Sequence, residues 1–540
     1  MLLYALRRQF WQESLREEGF PISIDHKLPM GVEEMYKSLR GGPWRRPQRK
    51  CRTIASIVNP RSAPLPMYRP LVSILAAFFA LSPLALAQSL PTTWVDKDTG
   101  HRVVRLSDEP GSSGFYFNVN AFTPDGKQMV YSAPDGIHAL DLATYKTRLV
   151  VPNPPTPAGA ERDARPFFRG GMRAIVVGRK TNSVFFSKVD PATHLSTVYK
   201  ADVYTGTITK LVTLPPRASI ATINADETLG VGTYDETQAA AEREYGQYRP
   251  APTPTLPGAA PAQPQAGNLV QPEGKGEMME RRLAARIPVV LYTIDLKTGK
   301  VTPLLHSTDW IGHMLFSPVD PTLLMYCHEG PWQKVDRIWM IHTDGTRKTL
   351  IHKRTMALEI AGHEFWGLDG STVWYDWQYP KGEDFFLAGY NLKTGKRIAY
   401  HMQRNEWSIH FNLTQGETLF TGDGGDPGQV AKAPDGEWIE LFHPQMLNVG
   451  PGAINAANYW QPGVFHSEHL VNMSHHNYRL EPNVRFSPDK KLVIFTSNMF
   501  GTSYVFGVEV ARTENPEASD IHSTPELAGQ FQPVNPAPTH

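Results

Sequence analysis

Short segments with alternating apolar and polar residues recur along the chain from Trp94 onward, and a turn bounds each of them. One kind of turn reads Asp-x-x-Thr-Gly, as at 96–100, 202–206 and 295–299. Glycine supplies the positive φ that a tight hairpin requires, and the Asp and Thr side chains bond their own backbone. The pattern therefore predicts a long succession of β-hairpins.

A second kind of turn, rich in Asp or Gly and followed by an alternating strand, occurs between the first kind. It occurs seven times, at 122–131, 171–187, 224–233, 316–326, 367–375, 413–421 and 486–497. Repeats of this kind, about 40–50 residues apart, are typical of propeller blades of four strands each. We therefore expect an all-β, single-domain, seven-bladed β-propeller over residues 88–512.

The spacing is too long at one place, between Asp235 and Arg286. The sequence there is rich in Pro and Ala and cannot bury a core, so we predict a disordered insertion at 237–280. The tail 513–540 is polar and is also predicted to be disordered.

The first strand, near 94–106, is expected to pair with the last strand, near 504–510. This pairing would complete the last blade and remove the exposed edges of the sheet.

The N-terminal part indicates export. From Met67, a short basic start is followed by an apolar run at 71–86 and by Ala85-Leu86-Ala87. This is the pattern of a Sec signal peptide at 67–87, and the run is shorter than the roughly 20 residues of a spanning helix. We expect a periplasmic or secreted protein, with an uncleaved membrane anchor as the alternative. Residues 1–66 are interpreted as a non-native extension ahead of the true start.

The net charge argues against nucleic acid and membranes as partners, and the cysteine content bears on disulfide bonds. Lys and Arg number 54 and Asp and Glu 53, so no overall field attracts nucleic acid or, after signal cleavage, a membrane. The chain has two cysteines, Cys51 and Cys327, and only Cys327 lies in the predicted mature protein. No disulfide within one mature chain is expected, and the cysteines do not indicate the compartment.

Histidines occur in the polar loops between the predicted strands. A single histidine of this kind is usually structural, but the members of this set recur at blade spacing and are therefore expected to converge at the mouth of the central channel. The set comprises His313, His328, His363, His410, His475 and His476.

The stretch from Asp309 to Val510 resembles the oligogalacturonate lyases, propeller enzymes that degrade short pectin fragments. The motifs that carry this resemblance are His328-Glu-Gly-Pro331, His363-Glu-Phe-Trp366 and Ser408-Ile-His410. The similarity is fainter over the first three predicted blades.

The resemblance implies β-elimination on an oligogalacturonide substrate. Such a reaction needs a base for the C5 proton and positive charge near the sugar carboxylate. The resemblance assigns the base to His363, and imidazole suits this role because its pKa lies near neutral pH. It assigns support of the substrate or of the developing charge to Arg337. The expected substrate-binding residues are His313, His328, Glu329 and Trp366.

The resemblance also implies a divalent cation, Mn²⁺ first, with His410 as one ligand. The family's Gln-x-x-His-x-His segment is replaced here by Tyr478, Glu481 and Asn483. Glu and Asn offer oxygen ligands that Mn²⁺, Mg²⁺ or Ca²⁺ accept, and His476 lies a few residues upstream. The expected ligand set is therefore His410, Glu481, Asn483 and His476.

Two alternatives remain open on the sequence: a non-catalytic propeller that binds or docks other envelope proteins, and a lyase for a different uronic acid polymer. The propeller half of a serine peptidase is excluded, because no Gly-x-Ser-x-Gly elbow with its α/β domain is present. The preferred oligomer length and the oligomeric state are not indicated.

Overall fold

The structure is a computed structural model that describes residues 90–153, 172–190, 192–236, 275–428, 432–450, 452 and 458–513. The chain divides into two units, Met1–Leu86 and Ala87–His540, and all described residues belong to the second. The predicted extension, the signal peptide, the tail beyond Thr513 and most of the predicted insertion lie outside the described residues.

The described chain is nearly all β-structure, in a succession of antiparallel sheets. Its first half contains β1 (Thr93–Val95), β2 (His101–Arg105), β3 (Gln128–Ala133), β4 (Gly136–Asp141), β5 (Thr147–Pro152), β6 (Met172–Val177), β7 (Ser183–Val189), β8 (Ser196–Asp202), β9 (Ile208–Thr213), β10 (Thr222–Ile223), β11 (Leu229–Asp235), β12 (Val289–Asp295) and β13 (Val301–Ser307). Strands β3–β5, β6–β9 and β10–β13 form three separate sheets.

The second half continues in the same way. It contains β14 (Trp310–Phe316), β15 (Leu323–Glu329), β16 (Ile338–His342), β17 (Thr349–Leu350), β18 (Ile360–Trp366), β19 (Thr372–Gln378), β20 (Phe385–Asn391), β21 (Arg397–His401), β22 (Phe411–Leu413), β23 (Phe420–Gly422), β24 (Trp438–Met446), β25 (Trp460–Asn472), β26 (Arg485–Phe486), β27 (Leu492–Phe500) and β28 (Thr502–Arg512). Strands β14–β17 form one sheet, and β18–β21 and β22–β25 are two antiparallel groups that the parallel pair β21/β25 joins.

The last sheet contains strands from both ends of the described chain, in the order β1-β2-β28-β27-β26. In the pairing of β2 with β28, Val103 lies opposite Val508 and Arg105 opposite Phe506. The predicted pairing of the first strand with the last is confirmed.

The Thr-Gly turns also form as expected. Gly206 has a φ of 72° and Gly299 a φ of 74°. The Asp202 carboxylate accepts bonds from the backbone N–H groups of Tyr204, at 3.0 Å, and Thr205, at 2.8 Å. These bonds satisfy the turn's donors.

A short 3₁₀ helix occurs at Arg404–Glu406.

The prediction of a disordered insertion is wrong for its last six residues. Residues 275–280 lie in helix α1 (Lys275–Ala285). Met279 is buried and the Arg282 guanidinium lies 4.1 Å from the centre of the Trp310 ring, so packing on β14 stabilises a segment that Pro/Ala content alone did not describe. Within the described residues, no helix is both long and apolar enough to cross a bilayer.

The apolar core lies between successive sheets. One cluster joins Met129 of β3 to Val184 of β7, and another joins Trp94 of β1 to Ile439 of β24 and Phe506 of β28. Because each sheet packs on its neighbours through both faces, its strands are buried along much of their length. The first strands of successive sheets are thereby held close together, and the candidate site lies among them.

Candidate active site

Two β-bulges present the first histidines of the site. The register between β14 and β15 shifts between Gly312 and Leu315, and that between β18 and β19 shifts between Gly362 and Phe365. His313 and His363 occupy these bulges with positive φ values of 44° and 45°. Bulges redirect a side chain from the regular alternation of a strand, and they are frequent beside active sites.

The glycine before each histidine allows a close approach. A Cβ atom on Gly312 would lie 2.7 Å from Glu329 Oε1, and one on Gly362 would lie 2.3 Å from the Trp332 ring. Only glycine therefore lets Glu329 and Trp332 lie directly against the bulges.

His363 is oriented by a buried carboxylate. Its Nδ1 lies 3.2 Å from Oδ2 of Asp376 on the neighbouring strand β19, and Asp376 is buried. Donation of Nδ1–H to this carboxylate leaves the Nε2 lone pair available to accept a proton. The ring lies 5.0 Å from Trp332 and 5.1 Å from His410, centre to centre.

Beside it, Glu329 connects two cationic side chains. His313 Nε2 lies 3.1 Å from Glu329 Oε1, and Arg337 donates to Glu329 Oε2 from Nη1 at 3.3 Å and Nη2 at 3.4 Å. Burial lowers the pKa of His313, but the bond to Glu329 and the charge of Glu364 outweigh it and raise that pKa overall. The Arg337 guanidinium also lies 4.2 Å from the centre of the Trp332 ring. This part of the site favours positive charge.

Arg337 is almost fully buried. Burial disfavours its charge, but the neighbouring Cys327, Glu329 and Glu364 raise its pKa above the usual value. The guanidinium therefore remains charged at the base of the site.

Glu364 is buried with unsatisfied oxygens. Neither of them has a hydrogen-bond partner among the described residues, and Oε1 lies 3.7 Å from His313 Nδ1. Asp376 Oδ1 likewise lacks a partner within the described part of the chain. Buried acceptors without donors are costly, and a sugar hydroxyl or a water is the kind of donor that would satisfy them.

His410 forms a third group with Asp423 and Tyr116. Its Nδ1 lies 2.8 Å from Asp423 Oδ2, and its Nε2 lies 3.2 Å from the Tyr116 hydroxyl. The imidazole is fully buried and stacks on Phe117 at 4.6 Å, centre to centre. Burial, followed by the charge of Glu481, raises the pKa of Tyr116, so its phenol is protonated at neutral pH.

The histidine pattern did not reveal Tyr116 and Phe117. They lie in the loop before β3, where Arg485 donates to the carbonyls of Phe115, Tyr116 and Val119. The Tyr116 ring lies 5.9 Å from His313 and 5.0 Å from His410, centre to centre, and so connects the two histidine groups. The sequence signal for this loop is faint, because the resemblance is concentrated after Asp309.

The four predicted metal ligands do not come together as a set. His410 Nε2 and Glu481 Oε2 are 3.8 Å apart and face each other. Both nitrogens of His476 are already bonded, however, Nδ1 with Ser497 Oγ at 3.0 Å and Nε2 with Leu480 O at 2.7 Å. Burial lowers the pKa of His476 to about 4, which fits a neutral ring within the core.

The side chain of Asn483 is also hydrogen-bonded within the protein. Its Oδ1 accepts the Phe117 N–H at 3.0 Å and its Nδ2 donates to Glu481 O at 2.9 Å. Across the described residues, no group of three or more His, Cys, Asp or Glu side chains is arranged to hold a metal ion. The predicted ligand set therefore does not fit a cation here.

His328 and Trp366 contact the protein itself. The His328 ring stacks on Trp339 at 5.3 Å and its Nδ1 lies 3.6 Å from Asp309, while burial lowers its pKa. Trp366 donates from Nε1 to Leu315 O at 3.3 Å and belongs to the apolar packing between β14–β17 and β18–β21. Their predicted roles in substrate binding stay predictions.

The described chain is thus an all-β protein in which successive sheets hold a cluster of paired histidines, carboxylates and a buried arginine. Residues 282–513 match the family described as oligogalacturonate lyase. The predicted resemblance to the oligogalacturonate lyase family is confirmed for this part of the chain.

Two individual proteins that are similar in sequence to this chain are also oligogalacturonate lyases. The chain is 29% identical over 227 residues to the oligogalacturonate lyase of Dickeya dadantii, covering 41% of this chain and 55% of that protein. It is 27% identical over 224 residues to the oligogalacturonide lyase of Pectobacterium atrosepticum, with the same coverage of 41% and 55%. The matched region thus spans about half the length of these relatives.

Solved structures extend the similarity of the fold. An oligogalacturonate lyase in complex with manganese is 22% identical, with a TM-score of 0.56 over 78% of this chain and 96% of that one. The oligogalacturonate lyase of Vibrio parahaemolyticus is 21% identical, with a TM-score of 0.55 over 78% of this chain and 97% of that one. At this level of identity, the two structures establish the shared fold.

Proposed function

We propose that the protein is an oligogalacturonate lyase, a polysaccharide lyase that cleaves 4-linked galacturonate oligomers by β-elimination. One observation carries the proposal. His363, oriented by Asp376, lies in the region matched by the family and is grouped with cationic side chains, as elimination next to a carboxylate requires.

The first step is removal of the C5 proton. Asp376 accepts the hydrogen bond from His363 Nδ1–H and holds the ring, so Nε2 is the group that takes the proton from the sugar. The electron pair of the C5–H bond forms the C4–C5 double bond, the C4–O4 bond breaks, and the leaving oxygen takes up a proton. One product carries an unsaturated sugar.

The second requirement is charge stabilisation. As the C5 proton leaves, negative charge develops on the C6 carboxylate, and His313 and Arg337 supply positive charge there. Because Glu329 bonds both of them, it fixes their positions and balances their charge before substrate binds.

We also propose that the described sheets are the seven blades of a single-domain β-propeller. Support comes from seven successive groups of strands, counting β18–β21 and β22–β25 separately, and from the shared last sheet. A closed succession of sheets removes exposed edges and directs the first strand of each sheet to a central channel.

A divalent cation was predicted from the family resemblance, and the similar solved structure is a complex with manganese. Since His476 and Asn483 are bonded within the protein, the mechanism above assigns no step to a cation. Metal analysis of the protein after dialysis against Mn²⁺, compared between the parent and His410→Ala, tests the predicted cation. A stoichiometric ion that is lost in His410→Ala would support a cation beside His410, and an ion-free parent protein would reject it.

The proposed compartment is the periplasm or the exterior of the cell, with cleavage after Ala87. The signal-peptide pattern at 67–87 supports it. N-terminal sequencing of the protein exported from a bacterial host should begin at Gln88, and a start before Met67 would oppose this proposal.

The activity is tested by following the ultraviolet absorbance of the conjugated double bond while the protein acts on oligogalacturonates of several lengths. We expect a rise in absorbance that falls about 100-fold or more in His363→Ala, the usual range for loss of a general base. His306→Ala, at an exposed histidine that pairs with Glu236, is the matched control and should retain activity.

Failure of the folded protein to act on any galacturonate oligomer would reject this substrate. Other uronic acid polymers would then be assayed in the same way. A protein inactive on all of them would favour the non-catalytic binding role.

A further inference from the structure

A cavity of about 560 Å³ is lined in part by Phe117, the ring that stacks on His410. It is lined by the segment at the start of each successive sheet, from Phe117–Pro124 round to Arg485–Pro488. Cavities of about 300–1,000 Å³ are typical of small-molecule sites. The cavity is thus large enough for a ligand, and it shares Phe117 with the His410 group.

The charged residues that line this cavity are all cationic. They are Arg179, Arg485 and Lys490, and no carboxylate is among the described residues of the lining. Lys490 donates to the Gln415 carbonyl at 3.2 Å, and Arg485 to carbonyls of the Tyr116 loop. Neither cation is therefore neutralised by an acid.

Arg179 is the cation best placed to meet a ligand. Its side chain retains solvent access, and no hydrogen bond or ion pair joins it to another described residue. Burial lowers the pKa of Arg485 to about 10, with no opposing contribution from a carboxylate. Both guanidinium groups remain charged at neutral pH, and an anion would compensate them.

Acidic residues do occur in the turns near the rim, but their carboxylates are bonded within those turns or to the adjacent blade. The residues concerned are Asp125, Asp226, Glu227, Asp320, Asp369 and Asp489. Among the described residues, none of these carboxylates forms an ion pair with Arg179, Arg485 or Lys490.

We propose that this cavity is a second binding site, for a carboxylated sugar of the galacturonate type, with Arg179 as its carboxylate anchor. The planar guanidinium matches a carboxylate in bidentate geometry. Apolar lining residues such as Phe117 and Leu368 suit the C–H faces of a sugar ring, and the volume exceeds what an inorganic anion needs. The identity of the sugar rests on the lyase function proposed above, because the elimination yields sugars of this class.

The test is isothermal titration of the full exported chain carrying His363→Ala with D-galacturonate, with neutral D-galactose and with inorganic phosphate. We expect galacturonate binding that weakens about tenfold in the added variant Arg179→Ala. Lys180→Ala removes the adjacent charge outside the lining and is the matched control; it should bind as the parent does. A crystal soaked in galacturonate should show the carboxylate at Arg179.

Equal binding of galacturonate by the Arg179→Ala and parent proteins would overturn the proposal. So would equal weakening by Lys180→Ala, or tighter binding of phosphate or galactose than of galacturonate. Arg179→Lys keeps the charge and guards against a folding defect: it should recover part of the affinity.

The two proposals fail separately. Loss of the lyase function would appear as absent double-bond formation by the native protein, with galacturonate still bound at Arg179. Failure of this inference would appear as an active lyase whose galacturonate binding does not depend on Arg179.

Discussion

At the scale of single residues, the site depends on pairs in which one partner orients the side chain of the other. Asp376 does this for His363, Glu329 for His313 and Arg337, and Asp423 for His410. Because these groups are buried, an unpaired charge or acceptor would cost free energy, and each side chain is therefore held to its partner.

Asp376→Asn is expected to lower kcat about tenfold or more with little change in KM. The amide no longer favours a proton on His363 Nδ1, and the ring loses the tautomer in which Nε2 is the base. Steady-state kinetics on a galacturonate oligomer measures this. Asp384→Asn, at the exposed carboxylate near His401, is the control, and equal losses in both variants would contradict an orienting role for Asp376.

Glu440→Gln is expected to raise the free energy of unfolding by about 1–3 kcal/mol at neutral pH. Glu440 is fully buried, its carboxylate oxygens lack hydrogen bonds from the described residues, and burial raises its pKa well above the usual value. Because the folded protein favours the protonated acid, the stability that Glu440 contributes is complete below its unfolded pKa and is lost as pH rises. The gain in the variant should therefore be larger at pH 8 than at pH 5.

Chemical denaturation at both pH values measures this gain. Glu468→Gln is the contrasting control: burial opposes its charge, but bonds from Arg512 and His101 lower its pKa overall. That variant should lose stability at neutral pH. His469 Nε2 lies 3.3 Å from Glu440 Oε1, and a Glu440→Gln protein less stable than the parent at pH 8 would show that this contact stabilises the carboxylate.

At the scale of secondary-structure elements, the two bulges in β14 and β18 define the site more than the strands do. Each places two residues against one on the partner strand and so turns a histidine out of the regular alternation. The same arrangement in two neighbouring sheets brings His313 and His363 to the cluster.

Gly362→Ala is expected to reduce lyase activity and to destabilise the fold by about 1–3 kcal/mol. The added methyl group would lie 2.3 Å from the Trp332 ring, which itself contacts Arg337 and His363. Gly276→Ala in helix α1 is the control, because a Cβ there meets nothing within 4 Å. Thermal unfolding and activity measure the effect, and two variants with the same behaviour would oppose it.

The sequence predicts some of the site and not the rest, for physical reasons. His313, His363 and His410 were found because they recur at blade spacing. Asp376 and Tyr116 were not, because Asp376 lies in a strand that reads as buried β-structure and Tyr116 in a separate loop. Contacts between neighbouring strands, or between a strand and a distant loop, leave no pattern along one strand.

The predicted cation ligands show the opposite limitation. His476 and Asn483 have suitable donor atoms and positions in the sequence, but whether those atoms are free depends on Ser497, Leu480 and Phe117. Only the folded structure shows that their hydrogen bonds are already made.

At the scale of the whole molecule, the succession of hairpins was predictable, because turn residues and alternation are local. The pairing of β2 with β28 was predictable too, since unpaired edge strands are unfavourable. Helix α1 was not, because Arg282 packs on Trp310 of β14 and Met279 is buried only in the folded chain.

A chain that begins at Leu106 is expected to lose at least about 3–5 kcal/mol of unfolding free energy relative to one that begins at Gln88. It lacks β1 and β2, including the buried Trp94, whose ring lies 5.5 Å from Phe500 and 5.9 Å from Phe506, centre to centre. Denaturant titration of the two chains measures the difference. Equal stability would mean that the shared sheet does not hold the fold together.

The same sheet holds the C-terminal end of the described chain against the turn between β1 and β2. The Thr513 N–H donates to the Gly100 carbonyl at 3.1 Å, and Arg102 Nη2 donates to Thr513 Oγ1 at 3.0 Å. The first described residue, Leu90, lies beyond β1, near the opposite end of β2. A peptide that runs back along the sheet could therefore connect it to Thr513, and the chain could be opened instead at an exposed hairpin such as Lys393–Thr394. The linear order of the gene is then one of several circular permutations that encode the same set of contacts.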